Sequence, residues 1–85
     1  MWREEDNKLR RHLKFKDFKA AIEFMNKVAI IAEELNHHPT WSNTYNIVDI
    51  ELTTHSAGNT VTQQDHDLAR RIDELYDSCR SDVNC

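Results

Sequence analysis

Three patterns predict an α+β fold, an antiparallel sheet of three to four strands with two helices packed on one face. Apolar and polar residues alternate over Leu9–Phe15 and again over Val48–Leu52, the period of a half-buried antiparallel strand. Between them Ala21, Phe24, Met25, Val28, Ala32 and Leu35 recur at three- and four-residue steps, the period of a helix that buries one stripe. Leu68, Ile72, Leu75, Tyr76 and Cys79 repeat that helical pattern further on. The order strand, helix, strand, helix is that of an α+β sandwich.

Each element has local support. Leu9, Leu13 and Phe15 alternate with Arg10, His12 and Lys14, and Arg11 interrupts the apolar face. Asp6-Asn7 suits a hairpin back to a short strand around Trp2. The Asp17 carboxylate is placed to accept the first orphan N–H groups of a helix running from about Phe18 to Leu35. The run Val28-Ala29-Ile30-Ile31-Ala32 widens its apolar stripe nearly all round, which predicts a subunit interface; cover by the second helix is the alternative. Pro39 disfavours helical geometry at His38, so the helix ends near Asn36-His37. Tyr45 and Ile47 have the opposite parity to Val48, which demands a turn or a bulge near Asn46. After the loop Ser56–Thr60, Thr62 and Asp65 stand at capping-box spacing, with Asp in place of the usual Glu. A tail from about residue 78 is expected to be disordered.

The 85 residues leave room for one domain, taken as 1–85, and a domain this small commonly gains stability by oligomerising. The composition, 39% hydrophobic and 31% charged with one Gly and one Pro, is that of a folded chain. A net charge of −4 argues against direct nucleic-acid binding, and Lys8, Arg10, Arg11, Lys14 and Lys16 read as a solvated strand face. No apolar run approaches the about 18 residues of a membrane span, and the acidic start Met-Trp-Arg-Glu-Glu-Asp does not read as a signal peptide. Cys79 and Cys85 form neither a metal-type pair nor a disulfide framework, so a reducing, cytoplasmic setting is expected.

Chemistry concentrates between residues 36 and 55, which hold three of the five histidines and the only proline. His37 and His38 stand where the first helix must stop, and His55 ends the second alternating segment. Imidazole both gives and takes a proton near neutral pH, so the three predict a metal-free acid/base site. The i,i+4 spacing predicts that Glu33 faces His37 and Glu34 faces His38. His55 has the parity of Asp49, Glu51 and Thr53, away from the buried stripe. A three-histidine zinc site is the weaker reading, because adjacent histidines before Pro lack the usual helical ligand spacing and no Cys joins them. His12 and His66 read as surface residues. Trp41 and Tyr45 read as packing aromatics around the helix end and, compatibly, as walls of a pocket for a flat heterocycle.

The string His37-His38-Pro39-x-Trp41, followed by Asn43-x-Tyr45-Asn46, Thr54-His55 and Asp65, closely resembles the signature of the pterin-4a-carbinolamine dehydratases. The resemblance covers Phe15 to Leu75; Phe15-Lys16-Asp17-Phe18, Phe24, Val28-Ala29 and Ala32-Glu33 match the family's first long helix. It implies a hydro-lyase that dehydrates 4a-hydroxytetrahydropterin to the quinonoid dihydropterin, recycling the cofactor of aromatic amino acid hydroxylases. The pterin is the substrate, and neither metal nor redox cofactor is implied. Carried over by position, His37 and His55 match the acid/base histidines, and His38 the one more concerned with holding the pterin. Asn36, Pro39, Trp41, Thr53, Thr54 and Ser56 fall at positions of the pterin site, and Glu33 and Asp65 match its supporting acidic residues. A homo-oligomer, dimer or tetramer, is also implied. Asn36 stands where many members have Asp, the loop Gly58–Thr62 is slightly longer than the family's, and most of the helix before the first strand is lacking. Some animal members double as dimerisation cofactors of a homeodomain transcription factor, so a non-catalytic binding or assembly module on the same fold is the alternative.

Overall fold

Four antiparallel strands in the order β1-β2-β4-β3 form a single sheet. The computed structural model describes residues 2–81. The elements are β1 (Arg3–Glu5), β2 (Lys8–Lys14), α1 (Phe18–Leu35), β3 (Thr40–Thr44), β4 (Ile47–Leu52), a 3-10 turn (His55–Ala57) and α2 (Gln63–Ser81). Asp6 and Asn7 make the two-residue turn between β1 and β2 with φ of 54° and 61°. Both residue types tolerate that left-handed conformation, and two such residues in a row match the twist of a tight hairpin. The alternation read from sequence sets the register. Leu9, Leu13, Val48, Ile50 and Leu52 face the helices, with Leu9 opposite Leu52 and Leu13 opposite Val48.

Against that face pack Ala20, Ala21, Phe24, Val28 and Ile31 of α1 and Leu68, Ala69 and Ile72 of α2. Full burial of each large aliphatic side chain contributes about 1.5–3 kcal/mol. Phe15, Phe24 and Tyr76 bracket one end of this core, with ring centroids 5.0–6.0 Å apart. Arg11 shares the inner face with Leu9 and Leu13. It pairs with Asp73 of α2 while its guanidinium carbon lies 5.1 Å from the Tyr76 ring centre, so the charge is met twice. Trp2 Nε1 donates to the same Asp73 oxygen at 2.7 Å, tying the start of the chain to α2.

Asp17 caps α1 as expected, its carboxylate accepting from Ala20 N at 2.8 Å. The widened apolar run resolves into two parts. Val28, Ile31 and Ala32 are buried within the chain, while Ala29 and Ile30 face outward, Ile30 with 62% exposure. The outward apolar surface is therefore narrower than the whole run. The parity conflict near Asn46 resolves as a two-residue turn, Tyr45-Asn46, with Tyr45 at φ 52°. Asn43 Nδ2 donates to the carbonyls of Tyr45 and Ile47, and Asn46 Nδ2 to Phe15 O. The Asn43-x-Tyr45-Asn46 motif is thus a turn-building device that pins the end of β2. α2 continues to Ser81, and the expectations for the tail beyond it, Cys85 included, lie outside the described residues, as does the side chain of Cys79.

Candidate active site

The site is assembled where two helix termini meet the end of β4. α1 stops at Asn36, which adopts the left-handed conformation (φ 50°, ψ 44°) that Asn tolerates better than most residues. The backbone N–H of Asn36 donates to Glu33 O at 3.2 Å and that of His37 to Ala32 O at 3.0 Å, the paired closure of a Schellman motif. This reversal turns His37 inward, where it is buried, and leaves His38 exposed.

His37 meets Asp65, 28 positions away on the first turn of α2, with Nε2 2.5 Å from Oδ1. Asp65 has no solvent exposure. Its other oxygen accepts from Thr54 Oγ1 at 2.7 Å and from Thr62 N at 2.8 Å. Because Thr54 gives its hydroxyl hydrogen to the carboxylate, the 2.6 Å contact between the two threonine hydroxyls runs from Thr62 to Thr54. Burial alone pushes the Asp65 carboxyl up, but the His37 ring, the Thr62 N–H and the Thr54 hydroxyl outweigh it and hold the carboxyl below the usual carboxylate range. The N-terminal end of α2 favours the same anion. Ionised Asp65 can only accept, so His37 carries a proton on Nε2 and has Nδ1 remaining.

The expected carboxylate pairing is corrected by this arrangement. Glu33 meets His38, Nε2 to Oε2 at 3.0 Å, and not His37. Glu34 turns to Arg71 of α2 at 3.5 Å and not to His38. The i,i+4 rule assumed that both histidines continue the helix, and the reversal at Asn36 breaks that phase.

β4 ends at Leu52, earlier than the expected strand through His55. Thr53 is buried and donates its hydroxyl to Asn7 O at 3.0 Å, beneath the β1-β2 turn, whereas outward parity predicted exposure. Thr54 faces inward to Asp65. His55 opens the 3-10 turn and is exposed as its parity predicted. Its Nδ1 lies 2.6 Å from Asn59 Oδ1.

Asn36, His37, His38, Thr53, Thr54, His55, Ser56 and Gln64 line one open cleft of about 340 Å³, within the ~300–1,000 Å³ usual for small-molecule sites. All three central histidines are brought together. Pro39 and Trp41 do not line this cleft: Pro39 leads into β3, and Trp41 stands opposite Ile50, partly buried against the core. Tyr45, in the turn at the far end of β3, is 63% exposed and also lies outside it. Trp41 thus packs against the core and borders a separate, smaller cleft of about 210 Å³ with Thr40, Ser42, Asp49 and Glu51. Glu33 and Asp65 stand behind His38 and His37 respectively. Gln64 and Asn59 were missed from sequence; the adjacency of Gln64 to Asp65 in the first turn of α2 was the available signal. Gln63 is turned away, donating to Asp67 at 2.9 Å. His12 pairs with Asp49 at 2.6 Å on the outer sheet face, and His66 is exposed on α2. Among the described residues no group of three His, Cys, Asp or Glu is placed to hold a metal ion, and no helix is long and apolar enough to cross a membrane.

The family model described as pterin 4 alpha carbinolamine dehydratase matches residues 1–75. A Synechococcus protein named "Putative pterin-4-alpha-carbinolamine dehydratase" is 51% identical over 74 residues, which are 87% of this chain and 78% of that protein. A Burkholderia pseudomallei protein of the same name is 52% identical over 67 residues, 79% of this chain and 65% of its own length. Among solved structures, a transcriptional coactivator/pterin dehydratase from Brucella melitensis superposes with a TM-score of 0.83 at 45% identity, covering 87% of this chain and 80% of that one. A pterin dehydratase-like protein identified as a RuBisCO assembly factor in the alpha-carboxysome superposes with a TM-score of 0.73 at 25% identity, covering 87% of both chains. The chain belongs to the pterin 4 alpha carbinolamine dehydratase family.

Proposed function

We propose that the chain dehydrates 4a-hydroxytetrahydropterin to the quinonoid dihydropterin plus water, recycling the pterin cofactor of aromatic amino acid hydroxylases. The observation that carries this reading is the convergence of His37 and His55, from two separate elements, on one cleft with a buried carboxylate behind His37. In the reaction the C4a–O bond breaks, the N5 electron pair forms the C4a=N5 bond, and N5–H loses its proton. One group must protonate the departing hydroxyl and another must accept the N5 proton. His37 and His55 fill these two roles, and exchange with solvent resets them. The reaction is an elimination of water in which one proton is given and one taken, and it calls on neither metal nor redox cofactor. His38, exposed and held by Glu33, contacts the ring and orients it. Asn36, Thr53, Thr54, Ser56 and Gln64 supply neutral polar groups for the amino-pyrimidine portion. Positioned acid/base groups of this kind typically contribute ~10²–10⁴-fold each.

The protein acts as a homo-oligomer in this reading. Ile30 and Ala29 form an outward apolar step on α1 that a second copy covers, and a domain of 85 residues gains stability from such cover. The test of function is to add purified protein to a phenylalanine hydroxylase reaction and follow decay of the 4a-carbinolamine absorbance. Decay faster than in buffer supports the dehydratase. Decay equal to buffer supports the second reading, an assembly module without catalysis, which the assembly-factor relative motivates.

A further inference from the structure

Asn59 belongs to none of the motifs above, yet its side chain ends on a ring of the site. Its Oδ1 lies 2.6 Å from His55 Nδ1. An amide oxygen only accepts, so Nδ1 of His55 carries the proton and Nε2 keeps its lone pair. The backbone holds Asn59 there independently of the ring. Its N–H donates to Thr54 O at 3.1 Å, and the Gly58 N–H donates to His55 O at 3.1 Å. Gly58 and Asn59 have φ of 86° and 58°, left-handed conformations that these two residue types accommodate. The chain therefore folds back over the 3-10 turn and delivers the amide to His55.

His37 is tied in the opposite sense, through Nε2, and to a different chemistry. A buried ionised carboxylate offsets the charge of an imidazolium. A neutral amide oxygen orients a ring and fixes its tautomer without supplying that charge. The remaining titratable ring in the cleft is His38, with Glu33 behind it.

We propose that Asn59 is a positioning residue that holds His55 in the Nδ1–H tautomer, presenting Nε2 as the proton acceptor, while His37 backed by Asp65 is the donor. The division into donor and acceptor rests on the dehydratase reading; the tautomer does not. Under that reading His55 Nε2 takes the N5 proton and the N5 electron pair forms the C4a=N5 bond. His37, protonated on both nitrogens, gives its Nδ1 proton to the departing hydroxyl, which leaves as water, while its Nε2–H stays on Asp65. His55 and Asn59 are both exposed, so water competes with the amide and the effect of losing it is modest.

The experiment reads the His55 tautomer by ¹⁵N–¹H correlation of the ring nitrogens at a pH where the ring is neutral. Unmutated protein is expected to show mainly Nδ1–H. Asn59→Gly, which keeps the left-handed backbone, is expected to shift His55 towards Nε2–H, the tautomer that exposed imidazoles favour in water. Asn59→Asp retains the acceptor and is expected to retain Nδ1–H. In the dehydratase assay Asn59→Gly should lower kcat roughly three- to tenfold, the range of one hydrogen bond, with KM held. Asn59→Asp should restore most of kcat and move the acceptor limb of the pH profile upward, because a carboxylate favours the protonated ring. An Nε2–H tautomer in the unmutated protein, or a tautomer indifferent to Asn59→Gly, overturns the proposal. Absence of activity in the unmutated protein overturns the dehydratase reading and with it the donor–acceptor division, while the tautomer result still decides the role of Asn59.

Discussion

Asp65 sits 2.5 Å from His37 with no solvent exposure, joining the first turn of α2 to the residue just past the end of α1. One carboxylate thereby closes three contacts: to a ring, to a hydroxyl and to a helix N-terminal N–H. Removing it leaves buried donors with nothing to accept them. Asp65→Ala should cost roughly 2–6 kcal/mol, read by urea unfolding: the His37 ring and the Thr62 N–H lose their acceptor at ~1–3 kcal/mol each, while the Thr54 hydroxyl can turn to the Thr62 oxygen 2.6 Å away.

The same carboxyl predicts a pH dependence. Its folded-state pKa lies below the usual carboxylate range, so its contribution is present above the unfolded-state value and is lost as pH falls through the folded value. Urea unfolding should therefore show unmutated protein more stable than Asp65→Asn at pH 6. The gap should narrow only below about pH 4, where an unperturbed carboxyl begins to take up its proton. A gap that is the same at pH 6 and pH 2.5 would contradict the assignment.

The histidines should separate into two groups. His37→Ala and His55→Ala should each lower kcat by roughly 10²–10⁴. His12→Ala and His66→Ala should leave it unchanged, since one lies on the outer sheet face and the other on the exposed side of α2. Circular dichroism establishes that each variant is folded. Equal losses from all four would show the assignment to be mistaken.

Glu33 should tune binding. It holds His38 at 3.0 Å, with both side chains more than half exposed, so the pair is screened and worth at most about 1 kcal/mol. Glu33→Gln should raise KM by no more than about fivefold and leave kcat and the pH profile in place. A large loss of kcat would show that Glu33 acts on the chemistry.

Assembly turns on Ile30. As it is 62% exposed on the single chain, Ile30→Glu should leave the fold intact. It should also convert the oligomer to monomers, because burying an unpaired carboxylate at an interface costs several kcal/mol. Ile31→Glu is the wrong probe, since Ile31 is in the chain's own core and the variant would damage the fold itself. Light scattering that finds the unmutated protein monomeric at micromolar concentration refutes the interface.

Most of the fold was legible because its signals are local and periodic. Alternation placed β2 and β4, the three- and four-residue stripe placed α1 from Phe18 to Leu35, and Asp17 announced its start. The three histidines were legible as a group through their motif, and Thr62–Asp65 through cap spacing. What the sequence hid depends on single backbone reversals. Asn36 in the left-handed conformation shifts the phase of everything after it, giving Glu33 to His38 and leaving His37 to Asp65 of α2. The early end of β4 puts Thr54 on Asp65 and gives His55 to a turn, where Asn59 reaches it. Trp41 is close to the histidines in sequence, but strand parity directs it to the core and away from the histidine cleft.

The central claim is tested most directly by the decay of the 4a-carbinolamine in a phenylalanine hydroxylase reaction supplemented with unmutated protein and, in parallel, with the His37→Ala/His55→Ala double variant. The account predicts faster decay with the unmutated protein and decay at the buffer rate with the folded double variant. Decay at the buffer rate with both, or acceleration that survives loss of both histidines, would contradict it.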